Sequence, residues 1–99
     1  MFDKTKKLFE LQGKAKKLQA TLQDMEFEGT ELGGKVKVKV NGEQKVMTIE
    51  VDDSLVCVEE KTSLIKFLTQ ATNAAIKKAQ QAAAHKTKEI MGGLGIPGL

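Results

Sequence analysis

From Lys35 to Val40 lysine and valine alternate strictly, Asn41-Gly42 interrupts the run, and alternation resumes from Met47 to Asp52. A period of two is the signature of half-buried strands, and Asn-Gly between two such runs signals a hairpin, because a type I′ turn needs positive φ at both central residues. A two-residue loop sets Val36, Val38 and Val40 on one face with Met47, Ile49 and Val51. The other face then carries Lys35, Lys37 and Lys39 with Gln44, Val46, Thr48 and Glu50. A four-residue loop shifts the partners by two and leaves both faces unchanged.

On each side of the hairpin the period changes to that of a helix. From Asp3 to about Met25, apolar residues fall at Leu8, Leu11, Ala15, Leu18, Leu22 and Met25, steps of three and four that draw a heptad-like stripe. About 22 helical residues at ~1.5 Å rise span roughly 33 Å, so this helix is expected to project beyond the sheet. Gly13 lies off the stripe and costs about 1 kcal/mol relative to alanine. Glu26 to Leu32 reads as a short first strand, with Gly33-Gly34 as a bend or bulge before the hairpin. After the hairpin Asp53-Ser54 supplies turn and N-cap chemistry, and Leu55 to Val58 a short helical turn.

No helix breaker intervenes from about Glu60 to Met91. The stripe of this second helix is Leu64, Ile65, Leu68, Ala71, Ala75, Ala79, Ala82 and Ala83, bulky at first and alanine-only later, so the first helix is expected to approach along its distal half. Residues 1–91 are expected to form one domain and 92–99, GGLGIPGL, a flexible tail. The pattern as a whole predicts an α+β fold, a small antiparallel sheet flanked by two long helices.

Composition narrows the picture. With four Phe and neither Trp nor Tyr in 99 residues, the core has few large side chains to bury, and dimerisation would add burial. At 40% hydrophobic and 29% charged, with no apolar run of eighteen residues, the chain is expected to be globular and not a membrane protein. The single cysteine, Cys57, sits between Val56 and Val58 and reads as a buried thiol; without a secretory leader pattern, it points to the cytoplasm. His85 has no companion at metal-ligand spacing. No phosphate-binding glycine loop, GxSxG, CxxC or HExxH occurs, so no catalytic, metal or cofactor site and no small-molecule substrate is expected.

Charge is distributed unevenly. Residues 1 to 17 hold six lysines against two acids, net +4; residues 77 to 91 hold four against one, net +3; residues 18 to 76 hold six against ten, net −4. If the helices run antiparallel, the two basic ends converge far from the hairpin. A concentrated basic surface is the electrostatic footprint of a nucleic-acid binder, because neutralising phosphates releases condensed counterions. The candidate phosphate contacts are Lys4, Lys6, Lys7, Lys14, Lys17, Lys77, Lys78, Lys86 and Lys88. Every basic residue is lysine, so these are point-charge contacts without the bidentate base reading that arginine provides. The Lys35, Lys37, Lys39 comb reads instead as solubility and edge protection. A second reading treats the lysines as solvation and makes the chain an assembly or adaptor protein that docks a protein partner through Leu8, Leu11 and Leu18.

The order of features resembles the YbaB/EbfC family of bacterial nucleoid-associated proteins. The resemblance covers nearly the whole chain: the Met1-Phe2 start and lysine- and glutamine-rich first helix, Phe27-Glu28-Gly29, Gly33-Gly34 leading into Val36-Lys37-Val38, and Asn41-Gly42. It continues through Ile49-Glu50-Val51-Asp52, Ser54-Leu55, Asn73-Ala74-Ala75 and the closing Gly92-Gly93 with its tail. The resemblance implies an α-β-β-β-α subunit in an intertwined homodimer, whose helices protrude like tweezer arms around double-stranded DNA, bound with little sequence specificity at the nucleoid. Val36, Val38, Met47, Ile49 and Val51 would then build the core and the dimer centre. The chain lacks the arginines of many relatives, and Asp53-Ser54-Leu55 replaces the usual proline or acidic segment after the third strand.

Overall fold

The computed structural model describes residues 2–92, with side chains from residue 4. The elements are α1 (Phe2–Asp24), β1 (Glu26–Glu31), β2 (Val36–Asn41), β3 (Val46–Val51) and α2 (Lys61–Met91), with short 3₁₀ turns at Leu32–Gly34, Asp53–Leu55 and Val58–Glu60. The sheet is antiparallel in the order β1-β2-β3. This is the expected α-β-β-β-α layout. The expected tail lies outside the described residues except for Gly92.

Periodicity explains which face is buried. On β2 the three valines, Val36, Val38 and Val40, are fully buried, while Lys37 and Lys39 turn to the opposite side. Against the valines pack Ala71, Ala75 and Ala79 of α2 with Leu55, and Phe27, Val51, Leu64, Phe67, Leu68 and Ile76 close the rim of the core. Asp52 starts the turn that carries Leu55 inward: its carboxylate accepts from the Ser54 backbone N–H at 3.0 Å. The cap is therefore Asp52, one residue before the expected Asp53-Ser54 pair.

The first part of the alanine stripe serves a different neighbour from the expected one. Ala71, Ala75 and Ala79 let α2 sink onto β1 and β2, not onto α1. The contact is so close that a Cβ built on Gly29 of β1 would lie 1.9 Å from the Ala71 carbonyl oxygen. Only beyond Ala79 does α2 leave the sheet and meet α1.

The hairpin loop also departs from the two-residue reading. Asn41 N–H donates to the Lys45 carbonyl at 3.0 Å, and Gln44 N–H donates to the Asn41 carbonyl at 3.0 Å. This leaves a three-residue loop, Gly42 to Gln44, with the positive φ at Gln44. Asn41 is committed instead to its own loop, its side-chain oxygen accepting from the backbone N–H of Glu43 and Lys45. An odd loop length inverts the strand faces, and an irregularity beside Met47 inverts them back: Val40 pairs with Val46, but Val38 pairs with Ile49 and Val36 with Val51. Val46 consequently joins the valine face, not the lysine face.

Candidate nucleic-acid interface

Two contacts anchor the helical arm to the sheet at the hairpin end. Gly42 N–H donates to the Leu22 carbonyl at 2.8 Å, and a Cβ on Gly42 would lie 2.6 Å from that oxygen. The Gln80 amide of α2 donates to the Gln44 side-chain oxygen at 3.3 Å. From there α1 and α2 run away from the sheet side by side. Ala15, Leu18, Gln19 and Leu22 of α1 share an open crevice with Thr87 and Met91 of α2, and with Glu43 of the loop. Glu43 Oε1 is buried there without a hydrogen-bond partner. The molecule is correspondingly elongated, 67 × 20 × 17 Å.

The crevice that Ala15 shares with Met91, the last residue of α2, sets where the expected tip residues fall. The hairpin is at the root of the arm, as expected, but the helix ends are staggered: at ~1.5 Å per residue, Lys4 stands roughly 16 Å beyond Ala15 along α1. Lys4, Lys6 and Lys7 are exposed on this free end, beside Leu8, which is 60% exposed, and the half-buried Leu11. Lys14, Lys17, Lys86 and Lys88 belong to the two-helix section of the arm. Lys86 is tied to Glu89 at 3.3 Å. Lys77 and Lys78 lie lower, where α2 covers the sheet, and Lys78 Nζ donates to the Glu28 carbonyl of β1 at 2.7 Å. Four of the nine lysines thus lie along the two-helix section, three further out on α1, and two where α2 covers the sheet.

The lysine comb has a different electrostatic setting. Lys37 pairs across the sheet with Thr30 and Glu50, and Lys39 with Glu28 and Thr48. Carboxylates on both neighbouring strands offset its charge.

A second exposed feature is apolar. α2 covers β1 and β2 but not β3, and Met47 and Ile49 are 55% and 52% exposed, with Val46 alongside. Of the five residues expected at the core or dimer centre, Val36 and Val38 are core, Val51 sits at its rim, and Met47 and Ile49 stand uncovered. Cys57 is exposed, contrary to the buried thiol expected, and Val58 beside it is 87% exposed. The segment lies between two 3₁₀ turns, outside the sheet, where alternation of apolar residues no longer alternates faces. His85 is exposed. Among the described residues no helix is long and apolar enough to cross a membrane, and no group of three metal-ligating side chains occurs.

Sequence reasoning missed Phe9. It is 69% exposed, and it lies off the Leu8, Leu11, Leu18 stripe. Its displacement from the helical period was the available signal.

Comparison with known proteins bears on this arrangement. The profile of the YbaB/EbfC DNA-binding family matches residues 1–94. A nucleoid-associated protein of Rhodopseudomonas palustris (strain TIE-1) is 38% identical over 92 residues, 93% of this chain and 87% of that protein. One from Syntrophobacter fumaroxidans is 38% identical over 89 residues, 90% of this chain and 81% of its own length. In three dimensions the chain is similar to an uncharacterized protein from Helicobacter pylori, with a TM-score of 0.67 at 24% identity, covering 79% of this chain and 90% of that one.

Proposed function

Because the chain belongs to the YbaB/EbfC DNA-binding family, we propose that it binds double-stranded DNA with little sequence preference, through lysine–phosphate contacts along the α1–α2 arm, and helps organise the bacterial nucleoid, with effects on gene expression. The observation that carries this reading is the placement of charge. The two-helix section of the arm carries Lys14 and Lys17 of α1 and Lys86 and Lys88 of α2, Lys4, Lys6 and Lys7 extend beyond it on α1, and most of the net-acidic stretch 18–76 lies in and around the sheet. Within the arm, Lys4, Lys6, Lys7, Lys14, Lys17, Lys86 and Lys88 are the contact residues of the proposal. Lys77 and Lys78 contribute at its root, with Lys78 also holding α2 to β1. Lysine ammonium groups read phosphate as point charges, which accounts for tolerance of sequence.

The subunit works, in this proposal, as a homodimer joined through the uncovered inner face of β3, where Val46, Met47 and Ile49 await a partner surface. Two arms then face one duplex.

Anisotropy of a labelled duplex across a salt series tests the DNA reading. The logarithm of affinity should fall by about 0.9 per phosphate contacted for each tenfold rise in salt. Lys6→Glu combined with Lys86→Glu should weaken binding at least tenfold and flatten that slope. Unchanged affinity and slope in the double variant would overturn the arm as the contact surface.

A further inference from the structure

Resting on the DNA-binding reading above, we propose that Phe9 is a stacking wedge: its ring enters a base step of the bound duplex while the lysines around it hold the flanking phosphates. Three observations converge on it. First, the ring is 69% exposed on the free end of α1, beyond the stretch where α2 lies alongside, so no part of the described subunit uses it. Second, two cations share its face of the helix: Lys6, three residues before it, is a direct neighbour, and Lys16, seven residues after it, lies two turns along.

Third, Gly13 lies four residues on. Helical side chains lean toward the N-terminus, so the residue at i+4 is the one whose side chain would fall across residue i. Gly13 has no side chain, and a Cβ there would meet nothing within 4 Å, so close packing does not demand the glycine. Its effect is to leave the flank of Phe9 open. An aromatic ring within a lysine field is complementary to a stack of bases bordered by phosphates. Apolar side chains inserted between base steps are an established means of deforming DNA, and an aromatic ring stacks on any base because every base has a π-face.

The test compares native protein, Phe9→Ala and Phe9→Trp on a single stretched duplex, read as contour length, with duplex anisotropy over a salt series and sedimentation of the protein alone. Insertion predicts that native protein lengthens the duplex and that Phe9→Ala abolishes the lengthening. It also predicts about tenfold weaker binding by Phe9→Ala with the salt slope preserved, since no ionic contact is lost, and recovery of the lengthening in Phe9→Trp. Lengthening by Phe9→Ala equal to native, or none by native protein that binds normally, overturns the wedge and leaves DNA binding intact. A change in sedimenting mass in Phe9→Ala, with DNA lengthening unaltered, overturns it in favour of a protein copy seated on the ring. Failure of native protein to bind duplex at any salt overturns both this inference and the function on which it rests.

Discussion

Gly29 shows how a single missing methyl fixes the fold. Its strand lies close enough to α2 that an alanine Cβ would overlap the Ala71 carbonyl, and backbone cannot turn aside as a flexible side chain can. Gly29→Ala should therefore cost about 3 kcal/mol, at the upper end of overpacking effects, seen as a lower urea midpoint with α2 helicity retained. Asp52 gives a residue-scale prediction of a different kind. The Ser54 hydroxyl, then the Ser54 N–H and last the nearby Lys35 charge, hold its carboxyl below the usual aspartate value, outweighing the opposing effect of desolvation. A folded value lower than the unfolded one means that this stabilisation is complete above the ordinary aspartate range, about pH 4, and is lost as pH falls through the folded value. Ser54→Ala removes the largest cause. Urea midpoints of the two proteins should differ at about pH 6 and converge toward about pH 2, whereas a constant gap would assign the effect of Ser54 to something other than this carboxylate.

At the scale of elements, strands and helices were legible because the apolar residues of each repeat at that element's period. The valines of β2 and the stripe of α1 needed only counting. What counting left open was choice of neighbour: an alanine run admits any close surface, and only Gly29, small at the same contact, marks the sheet as the one chosen. The loop was misread for a related reason. Asn41-Gly42 has the composition of a tight turn, yet here Gly42 is required by the Leu22 backbone against it, and the left-handed residue is Gln44. The sequence holds no separate sign of that packing, nor of the irregularity beside Met47 that rescues the strand faces. The charge of the arm was legible as a count, but the stagger between α1 and α2, which separates Lys4, Lys6 and Lys7 from the rest, follows from where the sheet releases each helix. Gly13 is the weak point of α1, and its surroundings are empty. Gly13→Ala should raise stability by about 0.5–1 kcal/mol, measured by thermal or urea unfolding, because alanine loses less backbone entropy in a helix.

For the whole molecule, the sheet is the unfinished part. A chain of 99 residues that leaves Met47 and Ile49 half exposed, with Val46, Val56, Val58 and Ile65 also exposed, keeps apolar surface in water that a second copy could remove. Pairing at β3 would place the two basic arms on one body, and two linked contacts to one duplex bind as a unit, so that affinity and salt slope both exceed those of a single arm. Ile49→Glu sets a carboxylate on that face without disturbing the valines beneath α2, because Ile49 is already 52% exposed in the subunit. Native protein should sediment at twice the subunit mass and Ile49→Glu at the subunit mass, with helical circular dichroism unchanged. Duplex affinity of the variant should fall at least tenfold, with a salt slope close to half the native value. A variant that remains dimeric would place the joining surface elsewhere on the subunit. A monomer that binds DNA with the native slope would mean that one arm makes all the phosphate contacts.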